Sequence, residues 1–325
     1  MVSNIRIGIV VLNYNNVHDT VHAVQSILYS KNASQHVLIV VDNASTDDSW
    51  KQLITNTLFN TQVCDASNKD SKKLASMQMV HLLQTGNNKG YAFGNNCGIK
   101  QCLLDTTISH VWILNNDVEL KEDCIEKIEI AIQKSSSNIG IWGTLLVNFF
   151  NRNSIQTIAA KYIPFLAKTK LYYPNFPLNK LTEVQVNRAT EQANYFIGAS
   201  LIFSKELLEK VGLFNEQFFL YAEEIDIFLR AKQSGFNKEI MASAIVYHKE
   251  GGTTLKGVST LKKERSLFVE FHNCRSKLLF TKIHYPVYYP IVYMLVVFNL
   301  FKIFKGNFKQ IILIIQALRK DQLVH

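Results

Sequence analysis

The feature that most constrains this chain is a repeated one. Short apolar, β-branched runs each stop abruptly on polar residues and lead into a helix-forming stretch. Arg6 to Leu12 ends at Asn13-Tyr14-Asn15, His36 to Val41 at Asp42-Asn43, and His110 to Leu114 at Asn115-Asn116-Asp117, while Val80 to Leu83 runs into GNNKGYAFGNNCGI. Such runs, without polar alternation, suit strands covered on both faces. Between them, Val17 to Ser30 carries Val17, Val21, Val24 and Leu28 on one helical stripe, and DNASTDDS supplies capping side chains for a helix from about Asp48 to Asn60. Four strand-loop-helix units predict an α/β fold with a mostly parallel sheet, flanking helices, right-handed crossovers and a ligand at the carboxyl ends of the strands. Thr61 to Gln78 is polar and aperiodic and reads as a surface insertion, and Phe149 to Ala193 shows no motif or periodicity.

The strand end in HVWILNNDVEL has two readings. Asn115, Asn116 and Asp117 line a crevice, since burying such groups without partners costs roughly 2–7 kcal/mol each, or they form a turn that caps a helix over Lys121 to Lys134. The turn GNNKGYAFGNN matches neither the P-loop nor the dinucleotide fingerprint, which weakens simple nucleotide hydrolysis. A crevice built on strand ends remains, with Asp42 able to accept from a base imide N–H and Asp117 placed for a metal-diphosphate, for which Mn2+ or Mg2+ is the suitable ion.

Composition excludes several classes. The chain has 325 residues, 47% of them hydrophobic, enough for a sizeable core. Its five cysteines are scattered, with no C-x-x-C pair or zinc-ligand spacing, and the N-terminal IGIVVL is too short for a secretory segment, so the expected compartment is the cytoplasm. Net charge is +9, and residues 251–325 hold 12 Lys/Arg against three acids, so the tail carries the whole excess. It is interleaved with aliphatic runs such as IVYMLVVF, which points to an anionic membrane surface and away from nucleic acid. Tyr285 to Phe301 has 17 uncharged positions interrupted by Pro286, Pro290 and Asn299, against the ~20 of a bilayer span. Interfacial helices on the inner face of the cell membrane, a span or hairpin, and a core or homodimer surface all remain open.

The stretch after Gln192 holds the other acids of interest. GLFNEQFFLYAEEIDIFLRAKQSGF ends in a helix from about Ala222 to Ser234, with Ile225, Phe228 and Leu229 toward the core and Glu223 and Glu224 in its first turn. Two carboxylates there either serve as an acid/base pair or merely stabilise the helix dipole, by roughly 0.3–1 kcal/mol. Asp226 and Arg230 form a favourable i,i+4 pair of structural character. His248 ends another apolar strand, where a hydrogen-bonded histidine and a ligand are both plausible.

Taken together, IGIVVLNYNN, VVDNASTDDS, NNKGYAFGNNCGI, WILNNDVEL and FIGASLIFSKELLEKVGLFNEQFFLYAEEIDIFLRAKQSGF resemble glycosyltransferase family 2, the inverting GT-A-fold enzymes, and most closely their bacterial rhamnosyltransferase-like branch in surface polysaccharide assembly. The resemblance covers roughly residues 5–285. It implies a GT-A domain over 1–255, with a nucleotide-sugar half to about 120 and an acceptor half beyond it, followed by a helical basic and apolar region over 256–325. By that resemblance Asp42 and Asn43 hold the nucleobase end and Asn13 and Asn15 line the nucleoside pocket. Gly90, Asn95 and Asn96 lie near ribose and sugar. Asn115 to Asp117 form the DxD motif with Asn115 in place of its first Asp. Asp117 and His248 complete a divalent-cation site, Arg275 faces the diphosphate, and Glu224, in place of an Asp and beside Glu223, is the general base. The implied donor is a dTDP- or UDP-sugar, dTDP-rhamnose among them, and the acceptor a glycan or lipid-linked sugar. Two other classes stay open: a nucleotidyltransferase, which would carry a glycine-rich basic loop where NYNNVHDTV stands, and a non-catalytic sugar-nucleotide-binding scaffold.

Overall fold

A computed structural model describes residues 5–58, 60–63, 80–249, 262–304 and 307–320. Its frame is a ten-stranded sheet. Among the described residues the first half runs β1 (Ile7–Asn13), α1 (Val17–Leu28), β2 (Val37–Asp42), α2 (Ser49–Ile54), β3 (Thr61–Val63), β4 (Val80–Gln84), α3 (Tyr91–Leu104) and β5 (His110–Asn115). β3, β4, β2, β1 and β5 lie side by side and are all parallel. Alternate side chains of β1 feed two separate cores: Val10 joins Val37, Ile39 and Val41 on one face, and Ile7, Ile9 and Val11 join Leu38 and Val40 on the other. Burial on both faces is why these runs show no polar alternation, and each fully buried aliphatic side chain contributes roughly 1.5–3 kcal/mol. α3 lies close on β1 because Gly98 has no Cβ, which would sit 2.4 Å from Val10 Cγ1.

The second half adds β6 (Val118–Leu120), α4 (Cys124–Lys134), β7 (Ile139–Asn148), β8 (Ile155–Thr157), β9 (Ala159–Ile163), β10 (Lys168–Tyr172), α5 (Glu183–Gln192), β11 (Ser200–Ser204), α6 (Lys205–Val211), α7 (Glu223–Gln233) and β12 (Asn237–His248). Here the sheet turns mixed: β11 enters between β5 and β7 antiparallel to both, and β12 pairs parallel with β7 but antiparallel with β6. That last pairing sets His248 opposite Val118 and so brings two distant polar residues to one edge.

Several expectations change in detail. The helix expected to reach Asn60 stops at Ile54, where Thr55 caps it. Of the expected insertion over Thr61 to Gln78, Thr61–Val63 is an edge strand on β4, and 64–79 lie outside the described residues. The silent stretch 149–193 holds three short strands and α5, which opens on a Thr182–Gln185 capping box. On α7 the buried face is Glu223, Asp226, Ile227, Phe228 and Ala231, so Ile225 and Leu229 are only half-buried.

Three helices follow: α8 (Lys262–His284), α9 (Tyr289–Ile303) and α10 (Phe308–Lys320). Cys274, Leu278, Phe280, Val292, Val296 and Leu300 share one apolar core with Tyr162, Phe196 and Phe228. The expected boundary at 255 lies outside the described residues.

Candidate active site

At the carboxyl ends of the central strands, register does the positioning. Asn13 of β1 lies opposite Asp42 of β2, and Leu12 opposite Asn115 of β5. Asp42 is wholly buried and its oxygens are occupied: Asn13 Nδ2 donates to Oδ2 at 2.7 Å, Ser45 Oγ to Oδ2 at 2.6 Å, Ser45 N to Oδ1 at 3.0 Å and Gln84 Nε2 to Oδ1 at 3.4 Å. Asn15, exposed and left-handed at φ 51°, accepts from Thr46 N at 2.7 Å and locks the loop after β1 to the loop after β2. Asn43 is buried and joins three pieces, donating to Asn88 Oδ1 and to the Gly90 carbonyl while accepting from Thr85 Oγ1. Gly90 itself has φ 100°, and a Cβ there would lie 2.2 Å from the Phe219 carbonyl oxygen, so only glycine lets the turn before α3 meet the loop before α7.

The two asparagines of α3 differ in role. Asn96 is saturated: its Nδ2 donates to Phe214 O and Glu216 Oε1 at 2.9 Å each, and its Oδ1 accepts from Phe214 N at 3.1 Å. It is a clamp between α3 and the loop after α6. Asn95 donates to Tyr91 O at 3.0 Å, while its buried Oδ1 has no hydrogen-bond partner. Asn116 also ties structure together, donating to Thr20 Oγ1 at 3.0 Å and so fixing the turn after β5 to α1. Asn115 is half-buried beside it, its N–H bonded to Ala199 O at 3.0 Å.

Asp117 and His248 meet at the far end of this row, with Oδ1 and Nε2 3.3 Å apart and both side chains nearly buried. The tautomer follows from a partner that sequence reading missed. Gln156 Nε2 donates to the His248 carbonyl at 2.9 Å, which turns its Oε1 toward His248 Nδ1 at 2.8 Å. With Nδ1–H donated to Gln156, the ring turns its Nε2 to the Asp117 carboxylate, and a divalent cation or a proton can bridge the nitrogen and the oxygen. A carboxylate oxygen and an imidazole nitrogen suit Mn2+, so the residues fit the divalent ion that the fold family implies. Among the described residues no cluster of three or more His, Cys, Asp or Glu forms a metal site, and the remaining ligands would be diphosphate oxygens and water.

The opposite wall is strained. Tyr221 and Ala222, neither of them glycine, adopt φ 71° and 72° directly before α7, at a cost of roughly 1–3 kcal/mol each. They aim Glu223 and Glu224 inward, and each leaves its Oε2 without a hydrogen-bond partner. Burial drives both carboxyls up: Glu223 rises well above the carboxylate range, helped by the charge of Glu224, and Glu224 is pushed up to about 7. Tyr91, at the start of α3, donates its hydroxyl to Gly198 O at 2.9 Å and is held protonated by burial and by the charges of the two glutamates. A Cβ on Gly198 would lie 3.8 Å from that hydroxyl and 4.0 Å from Glu224 Cδ, so the missing side chain leaves room at the carboxyl. Asp226 and Arg230 are structural as expected, and Arg230 reaches further, to the Val211 and Leu213 carbonyls at 2.8 Å. Arg275 reaches from α8 to the Gln217 carbonyl at 2.7 Å. A separate cavity of about 390 Å³ between α1 and α2, lined by Val17, Gln52 and Asn56, holds none of these groups.

No model of a known protein family matches the chain. It is 24% identical over 232 residues to a hexosyltransferase of low-salt glycan biosynthesis, Agl10 of Haloferax volcanii, covering 71% of this chain and 63% of that one. It is 24% identical over 189 residues to the dTDP-rhamnosyl transferase RfbF of Shigella flexneri, covering 57% of each. The chain thus spans about three-fifths of the length of the curated relatives it matches. Two solved structures share its fold. The mannosyltransferase PcManGT of Pyrobaculum calidifontis, in complex with GDP-Man and Mn2+, aligns with TM-score 0.51 at 14% identity over 97% of this chain and 75% of that one. GalNAc-T7 with UDP, GalNAc and Mn2+ aligns with TM-score 0.53 at 14% identity over 84% and 47%.

Proposed function

We propose, from the 24% identity to a hexosyltransferase and a rhamnosyl transferase and from the fold shared with solved glycosyltransferases, that the chain is an inverting glycosyltransferase that moves a sugar from a dTDP- or UDP-sugar, dTDP-rhamnose foremost, to a glycan or lipid-linked acceptor in bacterial surface polysaccharide synthesis. The observation that carries the reading is Glu224, with a carboxyl pushed up to about 7 beside the space at Gly198, and the Asp117–His248 pair at the strand ends supports it. Inversion needs one displacement at the anomeric carbon. The acceptor oxygen bonds to that carbon, the bond to the diphosphate oxygen breaks, and Glu224 takes the hydroxyl proton, a contribution of roughly 10²–10⁴-fold. Asp117 and His248 would hold the divalent cation, Mn2+ or Mg2+, which offsets the charge gathering on the departing diphosphate.

Asn13, Asn15, Asp42 and Asn43 form the nucleoside end, with Asn95 Oδ1 aimed at ribose or sugar, and Arg275 stands at the entrance from α8. Residues 1–120 then serve the donor and 121–255 the acceptor, on the cytoplasmic face of the membrane. A thermal-shift panel of UDP- and dTDP-sugars with and without Mn2+ tests the donor side, since a ligand at 100 times its Kd adds about 2.7 kcal/mol of stability. Stabilisation by one pyrimidine sugar nucleotide only with metal, followed by release of nucleoside diphosphate, is the expected result. Release of pyrophosphate would make the protein a nucleotidyltransferase, and saturable binding without product a scaffold.

A further inference from the structure

α9 has two apolar faces and uses only one. Val292, Val296 and Leu300 are buried in the core, whereas Val287, Ile291, Met294 and Phe298, spaced by four, three and four residues, form an exposed stripe on and just before the helix, Val287 at 84% and Met294 at 63%. The stripe continues onto α10, where Phe308, 65% exposed, meets Phe301 edge-on at 5.7 Å. Continuous exposed apolar surface of this kind marks an interaction site. Lys302 borders it, with its Nζ 4.5 Å from the Phe298 ring, and Lys282 and Lys309, both exposed, precede and follow it in the chain. Residues 271–320 contain no Asp or Glu at all.

Those charges select the occupant. A two-fold pairing of copies lays the same patch on itself, so these lysines would face one another with no acid to offset them. The helical run Pro286–Ile303 is 18 residues long and apolar enough to cross a bilayer, but Val292, Val296 and Leu300 on its other face are buried in the protein core, so a span would have to strip that packing away. We propose that the α9–α10 stripe lies in the headgroup region of an anionic bilayer, its aromatic and aliphatic side chains at the acyl boundary and its lysines on the phosphates. This gives the membrane part of the function above a defined surface.

Sedimentation of the full chain with vesicles tests it without any sugar nucleotide, so its outcome is independent of the transferase reading. The chain should bind vesicles of equal parts phosphatidylcholine and phosphatidylglycerol, bind phosphatidylcholine alone far less, and be released by salt. The double variant Met294→Glu/Phe298→Glu changes only exposed positions and should keep its circular dichroism while its partition weakens about tenfold or more. No binding to anionic vesicles, or unchanged binding by the variant, overturns the proposal. So does a dimer in free solution that the variant dissolves, which would assign the stripe to a second copy.

A different set of contacts carries a second inference. On α8, His272, Ser276, Phe280 and His284 recur every four residues and each has a specific partner. His272 stacks on Phe219 at 4.4 Å and Ser276 Oγ donates to Leu220 O at 2.7 Å; Phe280 packs edge-on to Tyr162 at 5.2 Å and His284 Nε2 meets Asp226 Oδ1 at 2.7 Å. With Arg275 on Gln217 O, this face grips the carbonyls leading into the left-handed pair Tyr221–Ala222 and the first turn of α7. We infer that Ser276 and His284 are positioning residues for Glu224, holding a strained segment that would otherwise relax. The inference rests on the transferase reading. Ser276→Ala should lower kcat for nucleoside diphosphate release from UDP-glucose or dTDP-glucose with Mn2+ about tenfold with donor KM unchanged, and speed amide exchange over 220–226, while Ser276→Thr restores both. A wild-type kcat with only a lower Tm, or kcat and KM changing together, overturns it. Absence of release by the wild type would count against the transferase reading instead, and unchanged exchange in Ser276→Ala would still count against this one.

Discussion

The two walls of the site are built on opposite principles. At the ends of β1, β2 and β5 Asn13, Asp42, Asn43 and Asn116 are buried and hydrogen-bonded within the protein. At the start of α7 Glu223 and Glu224 keep oxygens without partners, sit behind two left-handed non-glycine residues, and hold raised carboxyl pKa values. A satisfied network gives shape and rigidity. An unsatisfied, strained pair departs from what folding alone selects, and such departures concentrate where chemistry is done. The metal pair stands between the two, with His248 oriented through Gln156 while its Nε2 faces Asp117.

The sharpest test of that contrast is at Glu224. Glu224→Gln keeps size and helix propensity but cannot take a proton, so turnover should fall by at least ~10²-fold with donor affinity unchanged. Glu223→Gln, measured alongside, should cost much less. Equal and small losses at both positions would reduce the pair to a helix-terminus charge effect and erase the contrast.

At the Asp117–His248 pair the expected loss is in metal-dependent binding and not in proton transfer. Asp117→Ala should abolish Mn2+-dependent binding of UDP and dTDP without unfolding the chain. Gln156→Leu, which leaves both ligands in place, should weaken Mn2+ affinity about 10–100-fold through the lost ring orientation. Wild-type Mn2+ dependence in both variants would remove the metal from this pair.

The pH dependence of stability separates the walls again. Both glutamates have folded values above their unfolded ones, so between pH 4.5 and about 7 the native state holds more protons than the unfolded state. Stability from this pair is therefore full below the unfolded value and declines as pH rises through that window. Chemical denaturation across the window should show the decline, and the Glu223→Gln/Glu224→Gln double variant should flatten it. Turnover should run the other way, rising as Glu224 loses its proton near neutrality.

How much of this was legible in the sequence follows the same division. The strand ends were readable because a doubly buried strand has an unbroken apolar run, and Asn13, Asp42 and Asp117 mark where it stops. Their hydrogen-bond saturation was not, since Ser45 and Gln84 carry no periodic signal. The stretch 149–193 was silent because β8, on the edge of the large sheet, and β9 and β10, which pair only with each other, are three to five residues long and too short to establish a period. Gln156, on one of those strands, was hidden with them. The every-fourth-residue stripe on α8 was present in the sequence, but its partners, the Phe219 and Tyr162 rings, the Leu220 carbonyl and the Asp226 carboxylate, lie far upstream and nothing in the local pattern points to them.

The smallest expected effect is at Ser45. Asp42 Oδ2 already receives Asn13 Nδ2 and Ser45 Oγ. A pyrimidine imide N–H can use that oxygen only if one of them withdraws, and Ser45, half-exposed on a loop, can keep the bonds its Oγ accepts from Asn15 N at 2.9 Å and Asn13 Nδ2 at 3.2 Å while it rotates its own hydrogen away. Ser45→Ala removes all three of these bonds and should cost about 1–3 kcal/mol of stability. UDP and dTDP affinity in the presence of Mn2+ should then hold or rise a few-fold, because the competitor has been removed and the carboxylate waits with an open lone pair. A fall in affinity would mean that the Ser45 hydroxyl itself contacts the nucleoside and that Asp42 acts only through it. In that case the wall at the strand ends would be less complete than its hydrogen bonds suggest, and the difference between the two walls would be one of degree.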